Sequence, residues 1–320
     1  MSLKPAQIAD NINGKLERLM PVLFPFGVVL GFAMHGFFSH VRPLVPVLFG
    51  LITLSGTLRL KFTEFGSTIR NPFPILLFLA MVRVLMPLTA MFVSKFFFFD
   101  VDPNIVTGFV LLFSGPVAIA SFIWTGMFRG NRALCLTIIF IDTMLAPISV
   151  PGTLSILFGE MVKMDMGGIA MSLVWMVVLP TIAGVTLNET SRGKIPALIC
   201  PYLSPVSKIL FMTVIAANSS ALVSVVHFRD PLVWKVATLS ISLSVTAFLL
   251  ARLVGTVSKC GAEKEVTLFF TVGMKNISVV TTIAVAFFPE GIVALPAITG
   301  ILFQQIIAAV MSRFVKRSKP

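Results

Sequence analysis

Charged residues are scarce in this sequence. They make up 12% of 320 residues, whereas hydrophobic residues make up 57%, and the mean hydropathy is +0.98. Soluble domains carry about 25% charged residues, so the composition excludes an ordinary soluble domain and indicates a polytopic membrane protein. One tyrosine and three tryptophans stand against thirty phenylalanines, which suit lipid-facing surfaces. A net charge of +12 would suit nucleic-acid binding, but no soluble basic domain is there to carry it.

Motifs for bond-making chemistry are also missing. The three cysteines, at positions 135, 200 and 260, form no CxxC pair and predict no disulfide framework. The three histidines lie at span ends without metal-ligand spacing, and no P-loop, HExxH or GxSxG motif occurs. We therefore expect no enzyme, no ATP-driven pump, no cofactor and no metal centre.

Ten apolar stretches have the roughly 20 residues that a bilayer-spanning helix needs. The predicted spans are 19–38, 41–58, 73–98, 104–127, 132–158, 168–188, 206–226, 232–257, 266–287 and 291–313. Lysines and arginines in the loops and near the span ends divide 18 to 5 between the two sides, which favours ten spans with both termini in the cytoplasm. No cleavable signal peptide is visible, so the first span is expected to act as an uncleaved anchor.

Ten spans divide into two halves of five, and an odd number inverts the second half in the membrane. Gly115 and Pro116 interrupt span 4, and Gly273 loosens span 9 at the corresponding place. Interrupted spans in matched positions point to a transporter binding site. The expected fold is an all-α membrane protein of two inverted five-helix repeats, with broken helices 4 and 9 crossing.

Three ionisable residues lie deep within predicted spans: Arg83, Asp142 and Lys275. A lysine at mid-membrane costs about 2.5–3.5 kcal/mol on insertion scales and usually faces a cavity or a bundle interior. Lys275 is read as a fixed positive charge in a substrate site, against a structural salt bridge or snorkelling as the alternatives. Asp142 pairs with either Lys275 or Arg83, and the sequence leaves this open. A structural role for Arg83 is at least as plausible as a transport role.

Hydroxyl and amide side chains follow the breaks on both interrupted spans. They could converge on one polar cavity, although serine and threonine commonly bond back to their own helix. These residues are Ser114, Ser121 and Thr125 on span 4, and Thr271, Asn276, Ser278 and Thr282 on span 9.

Four runs together resemble the bile acid:sodium symporter family. Residues 54–60 (LSGTLRL) resemble its "MGL-x-L" run, and 114–121 with 130–134 (SGPVAIAS, GNRAL) resemble "CPGGTASN…KGDVALS". Residues 145–147 (LAP) resemble "LLAP", and 272–276 (VGMKN) resemble "EVGMQN". The resemblance implies secondary transport of organic anions, from bile salts to pantoate, by alternating access in a bacterial inner membrane. It also implies a panel (19–58 and 168–226) and a core (73–158 and 232–313), with substrate held between them near the crossover.

The chain departs from this family's pattern where the family binds sodium. The family's glutamate in "EVGMQN" corresponds to Thr271, and its glutamine corresponds to Lys275. Ser121 is retained. The chain also departs from the family's pattern at Phe122, Cys135, Ile139 and Val82, which lies beside Arg83. The pair Gln304-Gln305 replaces the family's "HN" near the substrate pocket. The resemblance therefore implies a divergent member without the usual sodium ligands.

Loss of a carboxylate and gain of an ammonium should repel Na⁺. Two unit charges 4 Å apart interact by about 4 kcal/mol at an effective dielectric constant near 20. We hypothesise sodium-independent transport, by uniport, by exchange or by proton coupling through Lys275 or Asp142. One alternative is a sodium-coupled symporter that uses backbone carbonyls with Ser121, Asn276 and Ser278 as ligands. Another is a receptor or scaffold that binds its ligand without transport.

Overall fold

The computed structural model describes residues 5–58, 60, 71–98, 101–159, 165–223, 226, 229–288 and 291–315. Every regular element within these residues is helical. The α-helices are α1 (Pro5–Ala33), α2 (His35–Val41), α3 (Val45–Thr57), α4 (Phe73–Ala80), α5 (Met86–Phe98), α6 (Pro103–Ser114), α7 (Ala120–Met127), α8 (Arg132–Phe158), α9 (Met166–Leu173), α10 (Leu179–Thr190), α11 (Lys194–Ser220), α12 (Pro231–Val257), α13 (Ala262–Gly273), α14 (Ile277–Phe287) and α15 (Leu295–Met311).

Among the described residues, seven continuous helical segments are long and apolar enough to cross a membrane. They are His35–Thr57, Phe73–Phe98, Arg132–Phe158, Met166–Thr190, Lys194–Ser220, Pro231–Val257 and Gly291–Phe314. Shorter apolar helices cover Val22–Ala33, Pro103–Ser114 and Ile277–Phe287. The chain is therefore a multi-pass membrane protein. Two segments join α-helices through π-helical turns, at Met81–Leu85 and at Val174–Val178.

Several helix boundaries differ from the predicted spans: α1 already begins at Pro5, not near 19, and the next helical segment begins at His35, not at 41. The first helix ends at Ala33 rather than near 38, because Met34 leaves the helical region with φ −115° and ψ 37°. The span predicted from 206 begins at Lys194, since α11 continues through Pro201 and Pro205. Membrane helices tolerate internal proline where neighbouring groups satisfy the freed backbone, so these prolines do not mark the helix start.

The chain divides into two compact units. One unit comprises Met1–Thr63 and Ser172–Val223, and the other comprises Glu64–Met171 and Ser224–Pro320. In the first unit, α1 packs along α11. In the second unit, α12 packs against both α13 and α15, while α5 packs against α6. The predicted panel and core stay a prediction at this point.

Acidic and amide residues outside the spans cap three long helices. Asp102 accepts a hydrogen bond from the backbone N–H of Asn104 at the start of α6, at 2.8 Å. Asn131 and Asp230 cap α8 and α12 in the same way, also at 2.8 Å. Such caps satisfy N–H groups that have no partner within the helix and contribute about 1 kcal/mol each.

The close packing of α1 on α11 yields a stability prediction. A Cβ added at Gly31 would lie 2.2 Å from the carbonyl oxygen of Ala216. We expect Gly31→Ala to lower the free energy of unfolding by about 1–3 kcal/mol through overpacking. Thermal unfolding of the detergent-purified protein measures this.

Gly14 on the same helix provides the matched control, because an added Cβ there meets nothing within 4 Å. Gly14→Ala should leave stability unchanged or raise it by about 0.5–1 kcal/mol, through the better helix propensity of alanine. Equal melting temperatures for the two variants would contradict the packing argument.

Candidate functional site

Two interrupted helices meet at their breaks in the second unit. Helix α6 ends at Ser114 and α7 begins at Ala120, while α13 ends at Gly273 and α14 begins at Ile277. Proline has no N–H group and disfavours helix at the preceding residue, which explains the end of α6 before the Gly115-Pro116 pair.

The two breaks hydrogen-bond to each other through an isolated antiparallel bridge between Val117 and Lys275. The Ala118 N–H donates to the Met274 carbonyl at 3.0 Å, and the Asn276 N–H donates to the Pro116 carbonyl at 2.7 Å. Non-helical backbone at membrane depth survives only where its polar groups find partners. Here each break supplies partners for the other.

A packed aromatic ring explains why the second break needs glycine. A Cβ added at Gly273 would lie 2.3 Å from ring atoms of Phe248, which is fully buried on α12. Phe248 in turn contacts Phe269, with ring centroids 4.9 Å apart. The end of α13 is therefore held by contacts distant in sequence.

Asp142 pairs with Arg83. One carboxylate oxygen forms a salt bridge with Arg83 Nη2, and the other accepts from the Val117 backbone N–H at 2.7 Å. Asp142 is fully buried in α8. Both of its oxygens therefore hold neighbouring elements, which decides between the two partners that the sequence left open.

Arg83 joins three elements. It lies in the π-helical turn Met81–Leu85, a geometry frequent at functional sites. Besides the carboxylate of Asp142, its Nη1 donates to the Ser114 carbonyl at 2.6 Å, and its Nη2 donates to the Asp142 carbonyl at 3.2 Å. A cation at the carbonyl end of α6 complements the helix dipole. The structural role weighed for Arg83 is the one these contacts describe.

Lys275 lies at the centre of the second break and is 3% exposed. Its backbone N–H donates to Oε1 of Gln304 at 3.0 Å. No protein group within the described residues forms a hydrogen bond with its Nζ. Asp142 and Arg83 lie within electrostatic range of that amine. The amine is thus buried and does not snorkel to the protein surface.

Several of the predicted hydroxyls bond within their own helices or to sulfur. Thr271 donates to the Thr267 carbonyl at 2.9 Å, and Thr282 donates to the Ser278 carbonyl at 2.9 Å. Ser121 lies 3.8 Å from the Cys135 sulfur. Local back-bonding of this kind is the alternative weighed from the sequence.

The remaining predicted residues lie close to the breaks. Asn276 precedes α14 without capping it through its side chain, and Ser278 is buried in the first turn of α14. Gln305 accepts from Nε1 of Trp124 at 3.2 Å. Sequence reasoning missed Trp124, whose side chain is partly buried in the half-helix α7 and whose indole N–H finds its partner 181 residues away.

Among the described residues, no group of three or more histidine, cysteine, aspartate or glutamate side chains could hold a metal ion.

The pairing of Asp142 with Arg83 gives a second prediction. Asp142→Asn removes the charge partner of a buried guanidinium and should cost about 3–5 kcal/mol of stability. Adding Arg83→Met should recover much of this loss, because no unpaired charge remains in the pair. Denaturation of the single and double variants in detergent measures the recovery. If Lys275→Gln, added to Asp142→Asn, instead restored as much stability as Arg83→Met does, the partner of Asp142 would be Lys275.

Comparison with known sequences identifies the family of the chain. The model of the sodium bile acid symporter family matches residues 46–228. The uncharacterized protein YbaS of Bacillus subtilis is 38% identical over 298 residues, covering 93% of this chain and 97% of that protein. The probable sodium/metabolite cotransporter BASS1 of Arabidopsis thaliana chloroplasts is 26% identical, covering 97% of this chain and 76% of that protein. The uncharacterized sodium-dependent transporter YocS of Bacillus subtilis is 24% identical, covering 81% of this chain and 79% of that protein. The chain therefore belongs to the sodium bile acid symporter family, a family of membrane transporters and not of enzymes.

Proposed function

We propose that this protein is a secondary transporter of a small organic anion that works without sodium, with Lys275 supplying the positive charge in place of the ion. The observation that carries the proposal is the buried amine of Lys275, a residue whose backbone lies where the two helix breaks meet and whose Nζ has no hydrogen-bond partner in the described part of the chain. An uncompensated buried charge is costly. An anionic substrate provides the missing compensation.

The contacts of the acidic and hydroxyl groups support sodium independence. One carboxylate oxygen of Asp142 pairs with Arg83, and the other accepts a hydrogen bond from the backbone N–H of Val117. The hydroxyl of Thr271, at the family's glutamate position, donates to its own helix. Hard cations need several oxygen ligands, and the Asp142 carboxylate and the Thr271 hydroxyl are both engaged in other contacts. The transport cycle would then run by uniport or exchange with Lys275 permanently charged, or by coupling to a proton that Lys275 carries.

The proposal includes the architecture expected from the sequence. Ten membrane spans would form two inverted five-helix repeats, and a panel (19–58 and 168–226) and a core (73–158 and 232–313) would provide alternating access. Support comes from the two compact units, whose boundaries fall near those of the panel and core. We place the protein in a bacterial inner membrane with both termini cytoplasmic, supported by the distribution of lysine and arginine in the sequence.

Sodium-coupled symport of an organic anion is the second candidate. The names of two relatives favour it, because they describe a sodium/metabolite cotransporter and a sodium-dependent transporter. Its ligands would be backbone carbonyls at the breaks with Ser121, Asn276 and Ser278. Ser121 and Ser278 are buried near the breaks, which is the geometry such a site requires.

Counterflow in proteoliposomes tests the proposal. Liposomes preloaded with unlabelled pantoate or a bile salt should accumulate the labelled compound equally well in sodium and in choline buffers. Lys275→Gln should weaken anion affinity about 10- to 100-fold, since hydrogen bonds to charged groups contribute about 1.5–3 kcal/mol.

Lys235→Gln is the matched control, because Lys235 is an exposed lysine at the start of α12. It should transport like the unmodified protein. Uptake that stops on replacement of sodium by choline would establish the sodium-coupled candidate. Binding without counterflow, for any anion tested, would indicate a receptor or scaffold.

A further inference from the structure

Three buried polar atoms around the helix break have no hydrogen-bond partner in the described part of the chain. They are Nζ of Lys275, Nε of Arg83 and Oγ of Ser114. Lys275 is 3% exposed and Ser114 is fully buried, while the Arg83 side chain is 11% exposed. Buried polar groups are paired in the great majority of cases, so three unpaired groups in one region require an explanation.

Hydrogen bonds, a salt bridge and a backbone bridge connect these three residues. Arg83 Nη1 donates to the carbonyl of Ser114, the residue whose hydroxyl is unpaired. Asp142 links Arg83 to the backbone of Val117, and Val117 forms the antiparallel bridge with Lys275. The three side chains therefore come from elements that meet at the helix breaks.

The chemistry of the set selects the sign of its ligand. An ammonium and a guanidinium N–H can only donate hydrogen bonds, and a serine hydroxyl can donate one. Asp142 pairs with Arg83, and no carboxylate in the described part of the chain forms a salt bridge with Lys275. Water could accept these hydrogen bonds but would leave the charge uncompensated. An anion meets both requirements.

The packing favours a small anion. A Cβ added at Gly115 would lie 2.3 Å from Cγ2 of Val280. The break between α6 and α7 therefore packs closely against α14. Val117 and Met274 beside the break are 2% and 0% exposed. A monatomic halide supplies a full negative charge in the least volume.

We propose that the core binds a chloride-sized inorganic anion between Lys275 Nζ, Arg83 Nε and Ser114 Oγ. The halide compensates the lysine while no organic anion is present. In a second step, which rests on the proposed function, the organic anion displaces the halide because both depend on the same ammonium. Transport then exchanges one anion for the other.

Halide binding is tested on the full-length protein in detergent. Starting in a chloride-free Tris–sulfate buffer of constant ionic strength, potassium chloride or bromide is titrated while the melting temperature is recorded. A ligand of the folded state raises the melting temperature in a concentration-dependent way. We expect that response from the unmodified protein and from Lys235→Gln, and none from Lys275→Gln.

Ser114→Ala keeps the test decisive if Lys275→Gln fails to fold. Loss of one hydrogen bond to a charged ligand should weaken halide affinity about tenfold or more, with the melting temperature in sulfate unchanged. Anomalous density for bromide beside Lys275 would locate the ion. A flat halide titration of the unmodified protein, or an unchanged affinity in Ser114→Ala, would overturn the proposal.

Competition separates this inference from the proposed function. An organic anion that stabilises the protein in sulfate buffer should bind more weakly as chloride rises, in proportion to halide occupancy. Organic-anion binding that ignores chloride would refute displacement while leaving the proposed function intact. Halide binding without transport of any organic anion would refute the proposed function alone.

Discussion

The salt bridge between Arg83 and Asp142 is the constraint on which the site depends. Asp142 pairs with Arg83 and not with Lys275, and its second carboxylate oxygen accepts a hydrogen bond from the backbone of Val117. A buried pair of this kind gives little net stability. Its consequence is positional, because it leaves Lys275 as a separate cation.

Backbone pairing between the two breaks makes this arrangement stable at membrane depth. Each break exposes N–H and C=O groups that lipid could not satisfy. The bonds from Ala118 to Met274 and from Asn276 to Pro116 remove that cost at both breaks at once. The amide of Gln304 satisfies the N–H of Lys275 as well. Hydrogen bonds thus hold the backbone of Lys275, while its amine has no hydrogen-bond partner among the residues that the structure describes.

Local chemistry in the sequence is enough to place the helix ends at Ser114 and Gly273, because glycine and proline act on neighbouring backbone. It is also enough to single out Lys275, since a lysine in an apolar span is expensive wherever it points. The partner of Asp142 could not be chosen, because Arg83 and Lys275 are equivalent until helix packing is known. Trp124 and Phe248 were missed for the same reason, as their partners lie far away in sequence. The helix boundary near 194 was misplaced because proline is locally a helix breaker, whereas α11 continues through Pro201 and Pro205. The break at Met34 has no proline to signal it in the sequence.

A tethered cation changes what a transporter can extract from its surroundings. A mobile ion that binds with the substrate transfers the free energy of its own gradient to the transported molecule. An ammonium fixed to the chain has no gradient, so it can alter the affinity for an anion but cannot drive net accumulation. A ligand shifts a conformational equilibrium only through different affinities for the two states. With Lys275 as the charge, that difference must come from the anion itself or from another mobile species that neutralises the lysine. Under the proposed function, a transporter without a mobile cation is therefore confined to dissipating an anion gradient, exchanging one anion for another, or moving a proton with its substrate.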